Sequence, residues 1–336
     1  MCLPAPLRSG AAPLGPADPP FAHEPSRPMN IYLPIAEMSE SVLVLLGMGA
    51  AVGFLSGLFG VGGGFLITPL LMFTGVPAPV AVGTSTAQLV ASSVSGALAQ
   101  YNRNNVDIKL GSVLLAGGVV GTLIGVEIVR ILRQAGQFEL FLALCYVLFL
   151  GVIGTLMLIE SVQTVWKTRS GVPASSRGRG EHSWVHGLPL KMRFHRSKLY
   201  ISAIPPLLIG AFVGFLAAIM GVGGGFVMVP ALIYLLRVPT NVVVGTSLFQ
   251  TVFVAAAATI LHAGTISSVD LVLAAILMVG GVIGAQLGAS AGSQLKGEQL
   301  RLLLAGIVLL VCVRLGWDLV VAPAELYSLA QPAGAR

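Results

Sequence analysis

Charged residues are scarce in this chain of 336 residues, since Asp, Glu, Lys and Arg together make up 10% of it. A soluble globular protein carries about 25% charged residues. Hydrophobic residues account for 55% of the sequence, and the mean hydropathy is +0.90. This balance excludes an ordinary soluble domain and predicts an integral membrane protein that is surrounded by the lipid bilayer.

Cysteine is also rare, with only Cys2, Cys145 and Cys312 in the chain. Cysteines so few and so widely spaced exclude a disulfide framework or a zinc site of the usual kind. Two of the three lie in apolar segments, where packing is their simplest role. We therefore expect no structural metal.

The net charge of +6 does not indicate a nucleic-acid partner. Residues 161–199 hold eight of the 19 basic residues and only one acidic residue, Glu181. A nucleic-acid-binding protein would instead present its positive charge along a folded face. The basic excess belongs to one loop, and we predict no nucleic-acid partner. The eight residues are Lys167, Arg169, Arg177, Arg179, Lys191, Arg193, Arg196 and Lys198.

Motifs for nucleotide or metal chemistry are missing as well. The run GVGGG at residues 60–64 lacks the Lys-Ser/Thr pair of a phosphate loop and the glycine spacing of a dinucleotide-binding fold. His182 and His186 are four residues apart, but no further metal ligands accompany them. We predict no enzymatic activity, no cofactor and no bound metal.

The chain does contain one unusual segment that occurs twice. GFLSGLFGVGGGFLITP at residues 53–69 returns as GFLAAIMGVGGGFVMVP at residues 214–230. Each glycine in a helix interior costs roughly 1 kcal/mol relative to alanine, so the two GVGGG runs predict breaks in two apolar helices. Inside a bilayer, the backbone groups freed by a break must be satisfied by other protein or by a water-filled cavity. Each break is therefore a candidate binding site.

Further matches extend the repeat over most of the chain. GTSTAQ at residues 83–88 corresponds to GTSLFQ at 245–250, and GGVVG at 117–121 corresponds to GGVIG at 280–284. The sequence predicts an all-α polytopic membrane protein with two homologous halves of about four transmembrane helices each. The first helix of each half is broken by glycine. A fifth crossing per half arises if the break sends the chain back.

The predicted organisation has five parts. They are a disordered N-terminal tail at 1–38, a first transmembrane repeat at 39–160, a basic inter-repeat loop at 161–199, a second repeat at 200–322 and a C-terminal tail at 323–336. The N-terminal tail has no apolar run long enough for a signal peptide.

With four crossings per half, the positive-inside rule places the basic loop and both termini in the cytoplasm. The oligomeric state is left open.

The segments GFLSGLFGVGGGFLITPLL, GTSTAQ, GFLAAIMGVGGGFVMVPALI, GTSLFQ and GGVIGAQLGA together resemble the TauE/SafE family of sulfite exporters. The resemblance covers about residues 41–321. It implies a bacterial inner-membrane permease for small anions, with sulfite, sulfonates and related organosulfur anions as the usual substrates. The Pro/Ala-rich N-terminal extension and the long basic loop depart from the family pattern.

A helix that begins just after a glycine break presents unpaired N–H groups and the positive end of its dipole, which suit an anion. We expect the helices that start near Phe65 and Phe226 to point their N-termini at a shared central cavity. Hydroxyl and amide side chains would replace water around the anion. The predicted substrate-binding residues are Gly62, Gly63, Gly64, Phe65, Thr84, Ser85 and Gln88 in the first half and Gly223, Gly224, Gly225, Phe226, Thr246, Ser247 and Gln250 in the second.

Each of these features has a structural alternative. The glycines could serve close helix crossing, the two glutamines could bond neighbouring helices, and serine and threonine can bond carbonyls of their own helix. Glu127 and Arg130 fit an interfacial ion pair, and Asp107 and Asp270 fit helix N-caps. His262 fits an interfacial or capping position at the end of its helix, and a role in proton coupling is left open.

Two other functions remain compatible with the sequence. A carrier of an amino acid or a metal cation would more naturally show an Asp or Glu within the membrane than neutral polar residues repeated in both halves. A membrane scaffold whose basic loop contacts anionic lipid has no need of that repeated polar register. The repeated neutral polar residues favour a permease for a small anion, and the family resemblance implies that the anion contains sulfur.

Overall fold

Helices make up most of the chain. The computed structural model describes residues 30–59, 64–169, 191–194, 199–236, 238–292 and 297–321. These residues include ten α-helices, which confirms the prediction of an all-α polytopic membrane protein. The helices are α1 Val42–Phe59, α2 Gly64–Phe73, α3 Ala78–Asn102, α4 Ile108–Gln134, α5 Phe138–Arg169, α6 Ile204–Met220, α7 Gly225–Tyr234, α8 Thr240–Leu261, α9 Leu271–Gly292 and α10 Gly297–Val320.

Five segments of the described chain are long and apolar enough to cross a bilayer, by length and composition. They lie in α4, α5, α8, α9 and α10. The α3 helix has 25 residues, or about 37 Å, but its many serines and threonines lower its hydropathy. The α1 and α6 helices have 18 and 17 residues, so each approaches the ~20 residues that a crossing requires.

Rows of glycine bring α1 and α9 into backbone contact. A Cβ atom built on Gly53 would lie 2.2 Å from the carbonyl oxygen of Gly281, and one on Gly57 would lie 2.1 Å from that of Ala285. The residue numbers rise together along both helices, so α1 and α9 run parallel. This is the small-xxx-small packing typical of membrane helices.

The α4 and α6 helices pack in the same way. A Cβ atom on Gly121 would lie 1.8 Å from Ala211 O, and one on Gly214 would lie 2.1 Å from Gly118 O. In the sequence repeat, α6 corresponds to α1 and α4 corresponds to α9. Each glycine-packed pair therefore joins a helix of one repeat to a helix of the other.

The α2 helix runs back towards the side on which α1 begins. Asp270 N, just before α9, donates to Thr84 Oγ1 near the start of α3 at 3.1 Å, so α1, α3 and α9 all begin on one side. Gly64 at the start of α2 lies against Leu89 in the middle of α3, and the end of α2 leads into the start of α3. The α2 helix is therefore a re-entrant half-helix.

Corresponding helices of the two repeats run antiparallel. Thr259 Oγ1 of α8 donates to Thr86 Oγ1 of α3 at 3.1 Å, whereas Gly96, further along α3, faces Leu248, earlier in α8. The α5 and α10 helices are antiparallel by the same test, since Gly151 faces Cys312 and Gly154 faces Val308. The repeats are inverted relative to each other.

This arrangement corrects the predicted topology. The α1–α2 hairpin returns to its starting side, and α3, α4 and α5 then cross three times. The basic loop after α5 consequently lies on the side opposite to the start of α1 and the end of α10. Lys109 of α4 and Arg301 of α10 lie near helix starts on the loop side. The positive-inside rule predicts that this side is cytoplasmic and that the ends of the bundle face away from it.

Two short antiparallel hairpins precede the broken helices. Strands β1 Asn30–Leu33 and β2 Met38–Ser41 lead into α1, and β3 Lys191–Phe194 and β4 Leu199–Ser202 lead towards α6. Part of the predicted disordered tail, residues 30–38, is therefore ordered, because Leu33 is buried and Ile35 N donates to Asp270 Oδ2 at 3.0 Å. The predicted basic loop is also shorter than expected. Its residues 161–169 belong to α5, which ends at Arg169, and its residues 191–194 and 199 belong to the second hairpin.

The antiparallel contact of α3 and α8 gives a test of the inverted arrangement. Thr86→Cys together with Thr259→Cys should form a disulfide rapidly on mild oxidation in membranes, because the two hydroxyl oxygens lie 3.1 Å apart. After proteolytic cleavage in the central loop, a disulfide between the two positions keeps the two fragments together, and its absence lets them separate. A pair of cysteines at positions 86 and 248 should stay reduced, and a disulfide there instead would contradict the helix directions.

Candidate functional site

The break in the second repeat is held by glycines in left-handed conformation. Gly221, Gly223 and Gly224 have φ angles of +69°, +70° and +76°. A Cβ atom on Gly221 would also lie 2.3 Å from Ser85 Oγ. These glycines shape the backbone, while other glycines perform the close helix packing. The corresponding residues 60–63, including predicted site residues Gly62 and Gly63, lie outside the described residues.

The two half-helices meet at the centre of the bundle. The α2 helix begins at Gly64 and α7 begins at Gly225, as the sequence predicts. The next residues, Phe65 and Phe226, are both buried, and their rings stack with centroids 4.7 Å apart and planes 19° apart. Two positive helix ends therefore face one central region.

Side chains of other helices bind the carbonyl groups at the end of α6. Tyr146 of α5 donates its hydroxyl hydrogen to Met220 O at 2.5 Å, and His262 Nε2 lies 2.9 Å from Ala218 O. The last carbonyls of a helix have no partner within that helix, and an unsatisfied carbonyl in a membrane is costly. The break is thus stabilised by tertiary contacts.

Three hydroxyl groups line the same break. Thr68 Oγ1 of α2 donates to Ser85 Oγ of α3 at 2.8 Å. Ser85 Oγ lies 2.8 Å from Val82 O and 3.3 Å from Gly221 O, and its single hydrogen serves one of them at a time. Thr251 Oγ1 of α8 donates to the carbonyl of Gly223 at 2.9 Å.

Gln88 and Gln250 occupy matching positions in the two repeats and are both buried. Gln88 Nε2 lies 2.6 Å from where a Cβ atom would stand on Gly281, and Gln250 Nε2 lies 2.8 Å from the same point on Gly118. Each amide fits over a glycine because that glycine has no side chain. Gln88 Oε1 and Gln250 Nε2 have no hydrogen-bond partner in the described part of the chain. These amides retain capacity for a ligand.

The remaining predicted hydroxyl groups already have structural partners. Thr84 Oγ1 accepts from Asp270 N, and Thr246 Oγ1 accepts from Asp107 N, each at 3.1 Å. Ser247 donates to Val244 O of its own helix at 3.0 Å. Of these three, Ser247 follows the alternative of bonding a carbonyl of its own helix, while Thr84 and Thr246 bind the backbone just before α9 and α4. The glutamines are the side chains of the predicted set with buried polar atoms that have no partner among the described residues.

Two structural alternatives from the sequence are confirmed. Asp107 Oδ1 accepts from Leu110 N at 3.2 Å, and Asp270 Oδ1 accepts from Leu273 N at 3.1 Å, so both aspartates cap the helices that follow them. Glu127 Oε1 accepts from the Arg130 guanidinium at 2.5 Å, and both side chains are about half exposed.

Of the two positions expected for His262, the capping one is confirmed and the interfacial one is wrong. Its side chain is 1% exposed and contacts the end of α6. A π-helical turn, His262–Ile266, continues α8 beyond Leu261 and turns the imidazole inwards. The sequence shows His262 only as the last polar residue of an apolar run, so position in the run gave no sign of burial.

Thr68, Tyr146 and Thr251 are site residues that the sequence did not indicate. The repeat directs attention to polar residues present in both halves, and Thr68 corresponds to Val229 while Thr251 corresponds to Leu89. Tyr146 lies far from either break in the sequence. A search for polar residues that interrupt apolar runs in one repeat only would have found the two threonines.

The site contains no buried positive side chain. The buried polar side chains of the described residues include serines, threonines, two glutamines, two aspartates and His262, but no lysine or arginine. Any negative charge at the centre must therefore be stabilised by helix dipoles, amides and hydroxyls.

Tyr146→Phe tests the capping of the break. Loss of the hydroxyl leaves Met220 O buried without its donor, and we expect a loss of about 1–3 kcal/mol in stability. Thermal unfolding of the purified protein in detergent measures it. Tyr101→Phe, at an exposed position on α3, is the matched control. Equal melting temperatures for the two variants would rule out a stabilising role for the Tyr146 hydroxyl.

Two inverted, glycine-broken helices that meet at the centre of a polytopic bundle define the class of membrane transporters. The family model described as Sulfite exporter TauE/SafE matches residues 45–315. The chain belongs to this family.

Several proteins of similar sequence are named as probable membrane transporters. Probable membrane transporter protein YjnA of Bacillus subtilis (strain 168) is 29% identical over 281 residues, which are 83% of this chain and 100% of that protein. A Xylella fastidiosa (strain 9a5c) protein named Probable membrane transporter protein is 32% identical over 251 residues, which are 74% of this chain and 84% of the relative. A protein of the same name from strain Temecula1 is 31% identical over 282 residues, 83% and 96% of the two chains. No solved structure matches the chain.

Proposed function

We propose that this transporter is a permease for a small anion, and that sulfite, a sulfonate or a related organosulfur anion is its substrate. The observation that carries the proposal is the meeting of two half-helix N-termini at Phe65 and Phe226. The family description supports the sulfur chemistry. The expected location is the inner membrane of a bacterium, with the basic loop on the cytoplasmic side.

The anion binds where the half-helices begin. The first amide groups of α2 and α7 have no acceptor within their own helix and can donate to oxygens of the anion. Gln250 completes the site with its unpartnered donor Nε2, and Gln88 lies at the matching position of the other half. Sulfite and sulfonate present several oxygens on one centre, so they can accept hydrogen bonds from both halves at once.

The absence of a buried lysine or arginine among the described residues suits a carrier. A permanently charged partner would bind an anion tightly and delay its release, whereas dipoles and neutral amides balance binding against release. Inverted repeats around such a site allow it to open to each side in turn.

Flux in proteoliposomes tests the proposal. We expect saturable uptake of sulfite and methanesulfonate by the wild-type protein and at least a tenfold loss in the double variant Gln88→Ala, Gln250→Ala, because the unpartnered donor Gln250 Nε2 and the matching Gln88 amide are both removed. Gln286→Ala is the matched control, since Gln286 lies on an exposed face of α9.

The outcomes separate the alternatives. Unchanged flux in the double variant would place the anion elsewhere. Absence of flux for every sulfur anion in well-folded protein would remove the substrate class. Uptake of an amino acid or a metal cation instead would favour the rival carriers, and a scaffold would show no specific uptake at all.

A further inference from the structure

We propose that His262 binds a proton that is transported together with the anion. The inference rests on the proposed permease function and adds the coupling ion to it. It starts from one observation: a buried imidazole beside the break in the second repeat has one nitrogen bound to the protein and one nitrogen without a partner.

The hydrogen bond to the backbone fixes which nitrogen is free. Nε2 lies 2.9 Å from Ala218 O, and a carbonyl oxygen can only accept, so Nε2 carries the hydrogen. Nδ1 then holds a lone pair, and it has no partner in the described part of the chain. Nδ1 can take up a proton while the bond to Ala218 stays intact.

The π-helical turn holds the imidazole in place. The turn ends α8, and π-turns of this kind occur at helix C-termini. Here the turn ends at Ser267, which has a φ of +52°, and Arg133 Nη1 of α4 donates to Ile266 O at 2.6 Å. The left-handed Ser267 ends the helix, and the arginine binds the carbonyl of the last π-helical residue.

The corresponding position of the first repeat holds a residue that does not titrate. The register that aligns Thr84 with Thr246 places Gln100 opposite His262. At this pair of positions only His262 titrates, so the two halves supply one proton site here and not a symmetric pair.

Few charged groups face this imidazole. The α6 and α8 helices carry no ionisable side chain in their described residues. From α4, Arg133 binds Ile266 O, while Glu127 and Arg130 pair with each other at the exposed surface. Tyr146 of α5 binds Met220 O, and Asp270 before α9 accepts from backbone amides. A proton on His262 therefore has no fixed counter-charge bound to it.

The transported anion supplies the counter-charge. Ala218 lies three residues before Gly221, where the break begins, and α7 starts at Gly225. An anion at the start of α7 attracts the imidazolium, and the imidazolium attracts the anion by the same free energy, since coupling between two sites is reciprocal. The pair enters and leaves together, which makes the permease a proton–anion symporter.

Binding of methanesulfonate at two pH values tests this coupling. Methanesulfonate keeps its charge across the range, so any pH dependence belongs to the protein. We expect the wild-type protein to bind it about fivefold or more tightly at pH 6 than at pH 8, and His262→Gln to show a ratio near one. Glutamine can still donate to Ala218 O but cannot take up a proton. Gln286→Ala should keep the wild-type ratio.

A purely structural role for His262 predicts another result. Titration calorimetry of purified protein would then give His262→Gln the same affinity ratio as wild type, with His262→Ala alone losing thermal stability. A wild-type ratio of one would equally overturn the proton site.

A second measurement separates this inference from the proposed function. Absence of methanesulfonate binding to folded wild-type protein would remove the substrate class, and the proton site is then decided by nitrogen NMR of histidine-labelled protein. Subtraction of the His262→Gln spectrum isolates the His262 signal. A signal that titrates between pH 5 and 8 supports the site, and one that stays neutral across this range overturns it.

Discussion

Replacing Gly53 by alanine should destabilise the protein by about 1–3 kcal/mol, although alanine is the better helix former. The added methyl group would lie 2.2 Å from Gly281 O and 2.7 Å from Gly281 Cα, both backbone atoms of α9. A backbone cannot rotate aside as a side chain can. The α1 and α9 helices would have to separate, and the loss of close packing would extend along both glycine rows.

Gly47→Ala is the matched control on the same helix. A Cβ atom on Gly47 meets nothing within 4 Å, so only the helix propensity changes, and we expect a gain of up to about 1 kcal/mol. Thermal unfolding in detergent, together with resistance to SDS, compares the two variants. Equal stability of Gly53→Ala and Gly47→Ala would show that α1 and α9 are not in backbone contact.

The positions of the two half-helices could be predicted because both signals are local. Glycine disfavours a helix wherever it stands, so the GVGGG run marks the break, and the repeat marks it twice. Helices that start at Gly64 and Gly225 follow directly. Gln88 and Gln250 were selected in the same way, since a polar side chain at one register in both halves stands out against apolar surroundings, and their role in binding stays a prediction.

The topology could not be predicted because hydropathy carries no information about the direction in which a helix runs. An apolar run of ten residues after a break reads the same whether it continues across the membrane or returns. The contact of Gly64 with Leu89 shows that α2 returns, and the parity of crossings changes with it. The prediction that the basic loop lies on the same side as both ends of the bundle was wrong for this reason.

The capping of α6 could not be predicted because it is purely tertiary. Tyr146 and Met220 are 74 residues apart, and His262 and Ala218 are 44 apart. Nothing in either apolar run indicates that a carbonyl there needs a donor from another helix. The break does limit which residues are candidates for such capping. Each carbonyl that the break frees within a bilayer needs a hydrogen-bond donor, and polar residues in otherwise apolar helices can supply it.

Replacing Gly224 by alanine should abolish transport, because two independent costs act at one position. The φ of Gly224 is +76°, which costs an L-residue roughly 1–2 kcal/mol. The added Cβ would also lie 2.2 Å from Val213 Cγ1, and such overpacking costs about 1–3 kcal/mol. The start of α7 would shift away from α6, and with it the proposed anion site.

Gly136→Ala isolates the first of these costs. Gly136 has a φ of +69°, but a Cβ atom there meets nothing within 4 Å. We expect a modest loss of stability and full methanesulfonate flux in this variant. Full flux in Gly224→Ala as well would show that the geometry of the break does not determine transport.

A second substitution isolates the clash at Gly224. Val213→Ala removes Val213 Cγ1 and leaves Val213 Cβ at 3.6 Å and Val213 O at 3.4 Å from the new methyl group, which are ordinary contacts. The double variant Gly224→Ala, Val213→Ala should therefore recover stability relative to Gly224→Ala alone, and a double-mutant cycle measures the coupling between the two positions. If the two substitutions acted independently, the cost of alanine at position 224 would come from the backbone conformation and not from the contact between α6 and α7.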